Sequence, residues 1–429
     1  MIIFECLFLF LLSLFIRLYP VRNNRTDFDT YGHLYFVAEI KKQKSGIWDG
    51  IEPSKSWKYE KWHHPFLWHW LVSFLPTKMV LRNQKWLNGI LDSIFSTFVF
   101  LILIQLGYNE NEAWIGSFLY LFTPMWFSSI SMGPRVNSFT PRLFSEICLN
   151  LFFLLVLLEL GISKISVLVL TTMLAFFLIS STKFGLQALF FITPILCLFI
   201  GSVAPLVPVT AGLLLAFIFS RGKIAPMLKR QLVHLSEYYQ RNKDDSTAVS
   251  KRNKISKIFY NPDKSKASLK TIILRLVSEN SYTAVFFKMP IYIVTLFLIL
   301  YGNISEGINL NLNSIAPILS STIIYMLVNI PVFLFLGEAE RYISHISIFI
   351  IITCLSLAIQ LKVIWLLWLL VVYGILFWLI ELVLVGNIAS QVNRESADNK
   401  IEKYLINLKT RKLVLSFPYH NFCVFRVML

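Results

Sequence analysis

Apolar runs long enough to cross a bilayer recur through most of this chain, and no other feature limits its fold so strongly. A helix needs about 20 apolar residues to cross about 30 Å of hydrocarbon, since each residue adds about 1.5 Å. The runs are continuous rather than alternating, which excludes a membrane barrel. Eleven spans read out, at about 2–19, 86–106, 113–131, 143–160, 165–182, 184–201, 203–220, 283–302, 313–336, 343–360 and 363–387. The expected fold class is an all-α polytopic membrane protein with about 11 transmembrane helices and interfacial helices in its first outer loop. A chain that is 56% hydrophobic, with a mean hydropathy of +0.64, carries too little charge for a soluble domain of this length.

The expected organisation is a transmembrane domain over 1–387, with an outer loop at 20–85 and a long basic loop at 221–282. A C-terminal soluble segment, 388–429, follows. There "ESADNKIEKYLINLK" has the spacing of a short amphipathic helix, and "RKLVLSF" and "FCVFRVML" read as strands. That is the start of a small α/β unit, with too little core to stand alone. The first run, Ile2–Leu18, lacks a basic n-region and a small-residue cleavage site, so it reads as a retained helix.

Net charge is +16, and it lies in the loops, where it suits anionic headgroups rather than nucleic acid. The 221–282 loop holds 14 Lys or Arg against 5 Asp or Glu, and its middle, "RNKDDSTAVSKRNKISK", reads as flexible and solvated. Cys6, Cys148, Cys197, Cys354 and Cys423 are scattered, with neither a disulfide framework nor a metal spacing. The excess of Lys and Arg in the long loops favours placing them in the cytoplasm, although loops near 60 residues obey that rule weakly.

Five clusters stand out. "TDFDTYGHLYF" sets Asp27 and Asp29 one residue apart, with His33 after them. Such a pair can share a hard divalent cation, Mg²⁺ or Mn²⁺, or one member can take a proton from an acceptor hydroxyl. The competing reading is a solvated loop or a helix cap. "HHPFLWHW" brings His63, His64 and His69 around a Pro placed to open an interfacial helix. "TPRLFSE" puts Arg142 and Glu146 at the start of a span, where an ionisable group faces a cavity or the helix dipole. "STKFG" and "FFKMP" place Lys183 and Lys288 near span ends, able to hold a lipid phosphate or simply to snorkel. "LGEAERYISH" packs Glu338, Glu340, Arg341, Tyr342 and His345 into a tight turn, where Glu and Arg can pair with each other, although pairing does not explain so many charges at membrane depth.

Taken in order, these pieces resemble the GT-C superfamily of integral membrane glycosyltransferases. "FDTYGHL" is similar to the acidic first outer loop of oligosaccharyltransferase catalytic subunits, and "HHPFLWHWL" to the His-Pro stretch of related lipid-sugar transferases. "TPRLFSE", "STKFG" and "GEAERY" match later positions of the family. Two departures are Phe66, where the family has a second Pro, and a second acidic motif reduced to Glu146.

The resemblance implies a membrane glycosyltransferase that moves a sugar from a polyprenyl-phosphate-linked donor to a hydroxyl of a glycan or lipid acceptor, by inversion. It implies a bacterial inner-membrane location with the site facing the periplasm. Asp27, Asp29 and Glu146 would be catalytic, with Asp27 and Asp29 holding Mg²⁺ or Mn²⁺ if a metal is used. His33, His64, Arg142, Lys183, Lys288, Glu340, Arg341 and Tyr342 would contact substrate or phosphate. Two other classes fit parts of the sequence. An O-antigen-type polymerase would use the basic loop. A lipid-linked sugar flippase or transporter would need broken helices and a midplane site.

Overall fold

The computed structural model describes residues 2–20, 28–52, 61–128, 139–158, 160–243, 253, 256–260, 266–278, 280–305 and 311–389. In chain order the elements are α1 (Ile2–Leu18), α2 (Phe28–Gln43), α3 (Leu67–Ser73), α4 (Thr77–Gln105), α5 (Glu110–Phe122), α6 (Pro124–Phe127), α7 (Arg142–Leu157), α8 (Lys164–Ser181), α9 (Lys183–Ile200) and α10 (Leu206–Ser220). There follow α11 (Ile224–Lys243), α12 (Ser256–Phe259), α13 (Leu269–Ser278), α14 (Ser281–Lys288), α15 (Pro290–Ser305), α16 (Leu312–Val328), a 3-10 turn (Pro331–Leu336), α17 (Glu340–Ser344), α18 (Ser347–Gln360) and α19 (Ile364–Ala389). Among the described residues extended pairing is confined to two isolated bridges, Ile51–Trp62 and Tyr260–Lys266.

A helix stands at each expected span, but the lengths do not support eleven crossings. Among the described residues, four helical segments are long and apolar enough to cross a membrane: Trp86–Gln105, Lys164–Ser181, Lys183–Ile200 and Ile364–Val383. The pair α14–α15, bent by 87°, makes a fifth if it counts as one span. The shortfall has local causes. The run expected at 113–131 breaks at Thr123, which is extended (φ −73°, ψ 118°) ahead of Pro124. Steric clash with a following proline ring drives a residue out of the helical region. The run expected at 313–336 leaves the α-helix after Val328 and tightens into a 3-10 turn. α19 continues to Ala389, two residues past the expected domain edge. The expected α/β segment lies outside the described residues, as does most of the loop middle expected to be flexible.

The loops expected on the outer side are more ordered than the sequence suggested. Residues 28–43, read as loop, form α2. The helix expected to be interfacial, α3, opens at Leu67 behind a Phe66 cap, so Pro65 precedes it rather than starting it. The basic loop begins with the 20-residue α11, which packs on the 3-10 turn and on α10.

α1 lies along α4, and α8 packs against α7, α9 and α10. In lipid the drive for helix pairing is van der Waals contact, so small residues mark the closest approaches. Gly212 of α10 is such a point. A Cβ there would sit 2.8 Å from Ala175 Cβ and 2.9 Å from Phe176 N of α8. Gly212→Ile should therefore lower the stability of the detergent-solubilised protein by about 1–3 kcal/mol. An unchanged melting temperature would mean that the two helices do not meet this closely.

One polar contact is sunk in the apolar packing. Arg17 of α1 and Asp92 of α4 form an ion pair through Arg17 Nε, and both side chains are 0% exposed. Arg17 Nη1 also donates to the Leu121 carbonyl at 2.7 Å, and the Tyr120 hydroxyl donates to Asp92 Oδ1 at 2.6 Å. The guanidinium carbon lies 5.9 Å from the Tyr120 ring centre and 6.0 Å from that of Phe127.

Candidate functional site

The polar residues of the outer loops and the span ends meet in one layer at one end of the helices. The layer begins with α2 and α3, which pack through Leu34 and Val37 against Trp68 and Val72. Phe139 N donates to Thr30 Oγ1 at 2.8 Å, which anchors the first turn of α2 beside the entry to α7. Asp29 occupies that turn of α2; Asp27 and the side chain of Asp29 lie outside the described residues.

One face of α2 carries His33, whose Nδ1 is 2.7 Å from His69 Nε2 of α3. The two rings lie 24° from parallel with centroids 5.0 Å apart, joined edge to edge through this contact, and His64 lies edge-on to His69 at 6.1 Å. Burial lowers the pKa of all three imidazoles in this part of the loop. His63 falls through burial and then Lys61. His64 is pushed down to about 3 by burial, then by its neighbours His33, His234 and Lys183. His69 drops well below its usual value through burial, His33 and His64.

A histidine that is harder to protonate folded than unfolded takes up protons on unfolding. Stability therefore rises with pH through the window below about 6.5 and is lost as pH falls through it, by up to about 1.4 kcal/mol per unit for each such group. The double variant His64→Gln/His69→Gln should flatten this acid-side loss between about pH 6.5 and 5. A slope equal to wild type in a melting series over that range would count against it.

Next come the charges. Arg142 Nε is 3.4 Å from Glu146 Oε1 one helical turn on, and Glu146 is fully buried. Glu146 is the fifth residue of α7, near the start of the helix as expected from the sequence. Arg142 also faces Arg341, Glu338 and Glu340 across the layer. Arg341 Nε contacts Glu338 Oε2 at 2.5 Å, and its guanidinium carbon lies 4.0 Å from the centre of the Phe184 ring. Asn150, one turn after Glu146, fixes this turn to α7: its Oδ1 accepts from Ile348 N at 3.0 Å and from the Ser347 hydroxyl at 3.3 Å.

Lys183 is the first residue of α9, behind a Thr182 cap whose Oγ1 accepts from Gly185 N at 2.7 Å. A cation at a helix N-terminus opposes the helix dipole, by about 0.3–1 kcal/mol, so its placement needs another reason. Its Nζ sits 5.6 Å from the ring centres of Phe184 and of Tyr238, the latter on α11. Among the described residues Lys183 has no carboxylate within ion-pair distance, unlike Arg142 and Arg341. At the opposite, N-terminal end of α11, Lys223 Nζ donates to Asp49 Oδ1 at 2.6 Å.

Lys288 is 1% exposed and lies at the bend before Pro290, within electrostatic reach of Glu381 and Glu340. Glu340 Oε2 accepts from the Ser281 hydroxyl at 3.0 Å. Tyr342 is core: its hydroxyl donates to the Leu336 carbonyl at 3.1 Å and it is 3% exposed. Among the described residues no three His, Cys, Asp or Glu are arranged to hold a metal ion.

The structure thus brings together His33, His64, Arg142, Glu146, Lys183, Lys288, Glu340 and Arg341, from six separate stretches of chain. It adds His234, Tyr238, Asn150, Ser281 and Glu381, which sequence reasoning left out, and it pairs His69 of the His-Pro stretch with His33. Glu381 had a signal: it is the one acid in the most apolar run. A cavity of about 210 Å³ opens at the other end of the helices, lined by Tyr108, Asn311, Ser314, Thr353, Ser356 and Gln360 among others. It has no acid, lysine, arginine or histidine, so it lies apart from the chemistry-bearing layer. No protein family, curated protein or solved structure matches the chain.

Proposed function

We propose that this chain is an integral membrane glycosyltransferase that moves a sugar from a polyprenyl-phosphate donor to a hydroxyl of a glycan or lipid acceptor. The observation that carries this is the gathering of Arg142, Glu146, Lys183, Glu338, Glu340 and Arg341 with the His33–His69 pair at one end of a membrane-type helix bundle. Ionisable groups at membrane depth are costly, and a shared layer of them marks a substrate path. In this reading the acceptor oxygen attacks the anomeric carbon, the bond from that carbon to the phosphate oxygen breaks, and the polyprenyl phosphate leaves with the electron pair. Asp29 or Asp27 takes the acceptor's proton. With acceptor and base on the side opposite the phosphate, the sugar inverts.

Developing charge on a leaving phosphate is best met by a fixed cation in a dry site. Arg142 and Arg341 already face carboxylates, so Lys183 takes this role, with the amide groups at the start of α9 beside it. Bilayer side follows the resemblance: an outer-face site, in a bacterial inner membrane. Lys183→Met should cut transfer about 100- to 1,000-fold in membranes, with Lys183→Arg retaining part of it. Wild-type turnover in Lys183→Met would remove Lys183 from the phosphate.

One feature favours the transporter reading instead. α14–α15 is a broken helix with Lys288 at the break and Glu381 opposite. Reconstituted vesicles separate the two: a transferase makes product from acceptor added on the site side, while a flippase moves labelled lipid-linked sugar without forming a new glycosidic bond.

A further inference from the structure

We propose that His69 is a positioning residue that fixes the proton of His33 on Nε2, so that His33 meets substrate as a hydrogen-bond donor and not as a base. The inference deepens the transferase reading and rests on it for the identity of the ligand, an anionic phosphate oxygen.

His33 Nδ1 and His69 Nε2 are 2.7 Å apart, so a single proton lies between them. His69 is 0% exposed, and Phe36 and Phe66 stand at right angles to its ring at 5.6 and 5.8 Å. Its other nitrogen, Nδ1, is buried with no hydrogen-bond partner. A neutral imidazole carries one N–H, which leaves two arrangements.

In the first, His69 Nε2–H donates to His33 Nδ1, and the orphan Nδ1 of His69 is a bare lone pair. In the second, His33 Nδ1–H donates to His69 Nε2, and the proton of His69 sits on Nδ1 as a buried donor with nothing to receive it. Orphaned buried N–H groups are rarer in folded proteins than under-satisfied acceptors. The first arrangement wins, and it leaves the proton of His33 on Nε2. His33 is the partly exposed member of the pair, so this N–H belongs to the ring that substrate can reach. Proton removal from the acceptor is then left to the acids of the first outer loop. The second nitrogen of a functional histidine commonly sets its tautomer in this way.

The test is made on the full chain in detergent, labelled with ¹⁵N-histidine, near pH 7.5 and without substrate. The His33 signals are identified by their loss in His33→Gln. A protonated Nε2 and a bare, hydrogen-bonded Nδ1 on His33 are expected; a protonated Nδ1 on His33 overturns the proposal. His69→Gln keeps an amide N–H near the Nε2 position and should preserve the His33 tautomer, while His69→Leu should give a mixture. An unchanged His33 tautomer in a folded His69→Leu also overturns it. If His69→Leu does not fold, the wild-type spectrum and His69→Gln still decide. In transfer assays His69→Gln should retain most activity and His69→Leu should raise the KM for donor at least tenfold. Absence of transfer in wild type would defeat the transferase reading and leave the spectroscopic result standing.

Discussion

Asp29→Asn abolishes sugar transfer while the protein remains abundant in the membrane: that is the result expected from the first-loop acids. Asparagine keeps the shape and loses the basicity, so the acceptor hydroxyl has nowhere to send its proton. General-base catalysis contributes about 100- to 10,000-fold, and the residual rate should fall by that range. Asp29 stands one turn before His33 in α2, and the neighbouring Thr30 ties that turn to the start of α7, so the first-loop acid and the Arg142–Glu146 pair enter from adjacent elements. Membranes supplied with labelled polyprenyl-phosphate sugar and acceptor give the readout. Turnover within threefold of wild type would sink any catalytic role for Asp29. Asp27→Asn is the natural companion, since either acid serves as base in the proposed displacement.

The second large effect is on stability. Asp92→Ala should destabilise the detergent-solubilised protein by about 3–5 kcal/mol, because it leaves Arg17 buried among α1, α4 and α5 without its counter-charge. The same logic makes the double variant Arg17→Met/Asp92→Leu much milder than either single change. A buried pair replaced by apolar side chains of similar volume often costs little. Thermal unfolding of the three variants measures this directly. Additive losses in the double variant would show that the pair is not what joins α1 to α4. Since α1 carries no part of the polar layer, its loss would act on activity only through folding.

Much of this architecture was legible in residue type and spacing. The first helix ends where Arg17 and Leu18 do, and the Thr182–Lys183 turn falls between two apolar runs as expected. Glu340 and Arg341 were readable because charges in a tight membrane-depth turn have few structural excuses. Other parts were not legible, for physical reasons. "FDTYGHLYFVAEI" has apolar residues on most sides, so α2 shows no clean helical stripe. Thr123–Pro124 and the end of α16 interrupt runs whose hydropathy does not change there, so counting apolar residues overcounts crossings. His69 reads as one more aromatic-flanked loop histidine until α2 is folded beside α3. Charge pairing was partly legible: Arg142 and Glu146 stand four residues apart and Glu338 and Arg341 three, spacings that meet on one helical face, and the fold pairs both.

The elbow between α14 and α15 bears on how the chain is made. As residues 281–305 emerge they read as one apolar stretch, and a straight helix would carry Lys288 about 10 Å in from its end. Its acidic neighbours, Glu340 and Glu381, are synthesised 52 and 93 residues later. Until they arrive, the ammonium lacks these two counter-charges at that depth. The elbow therefore forms only after α19, which carries Glu381, has been inserted and can receive it.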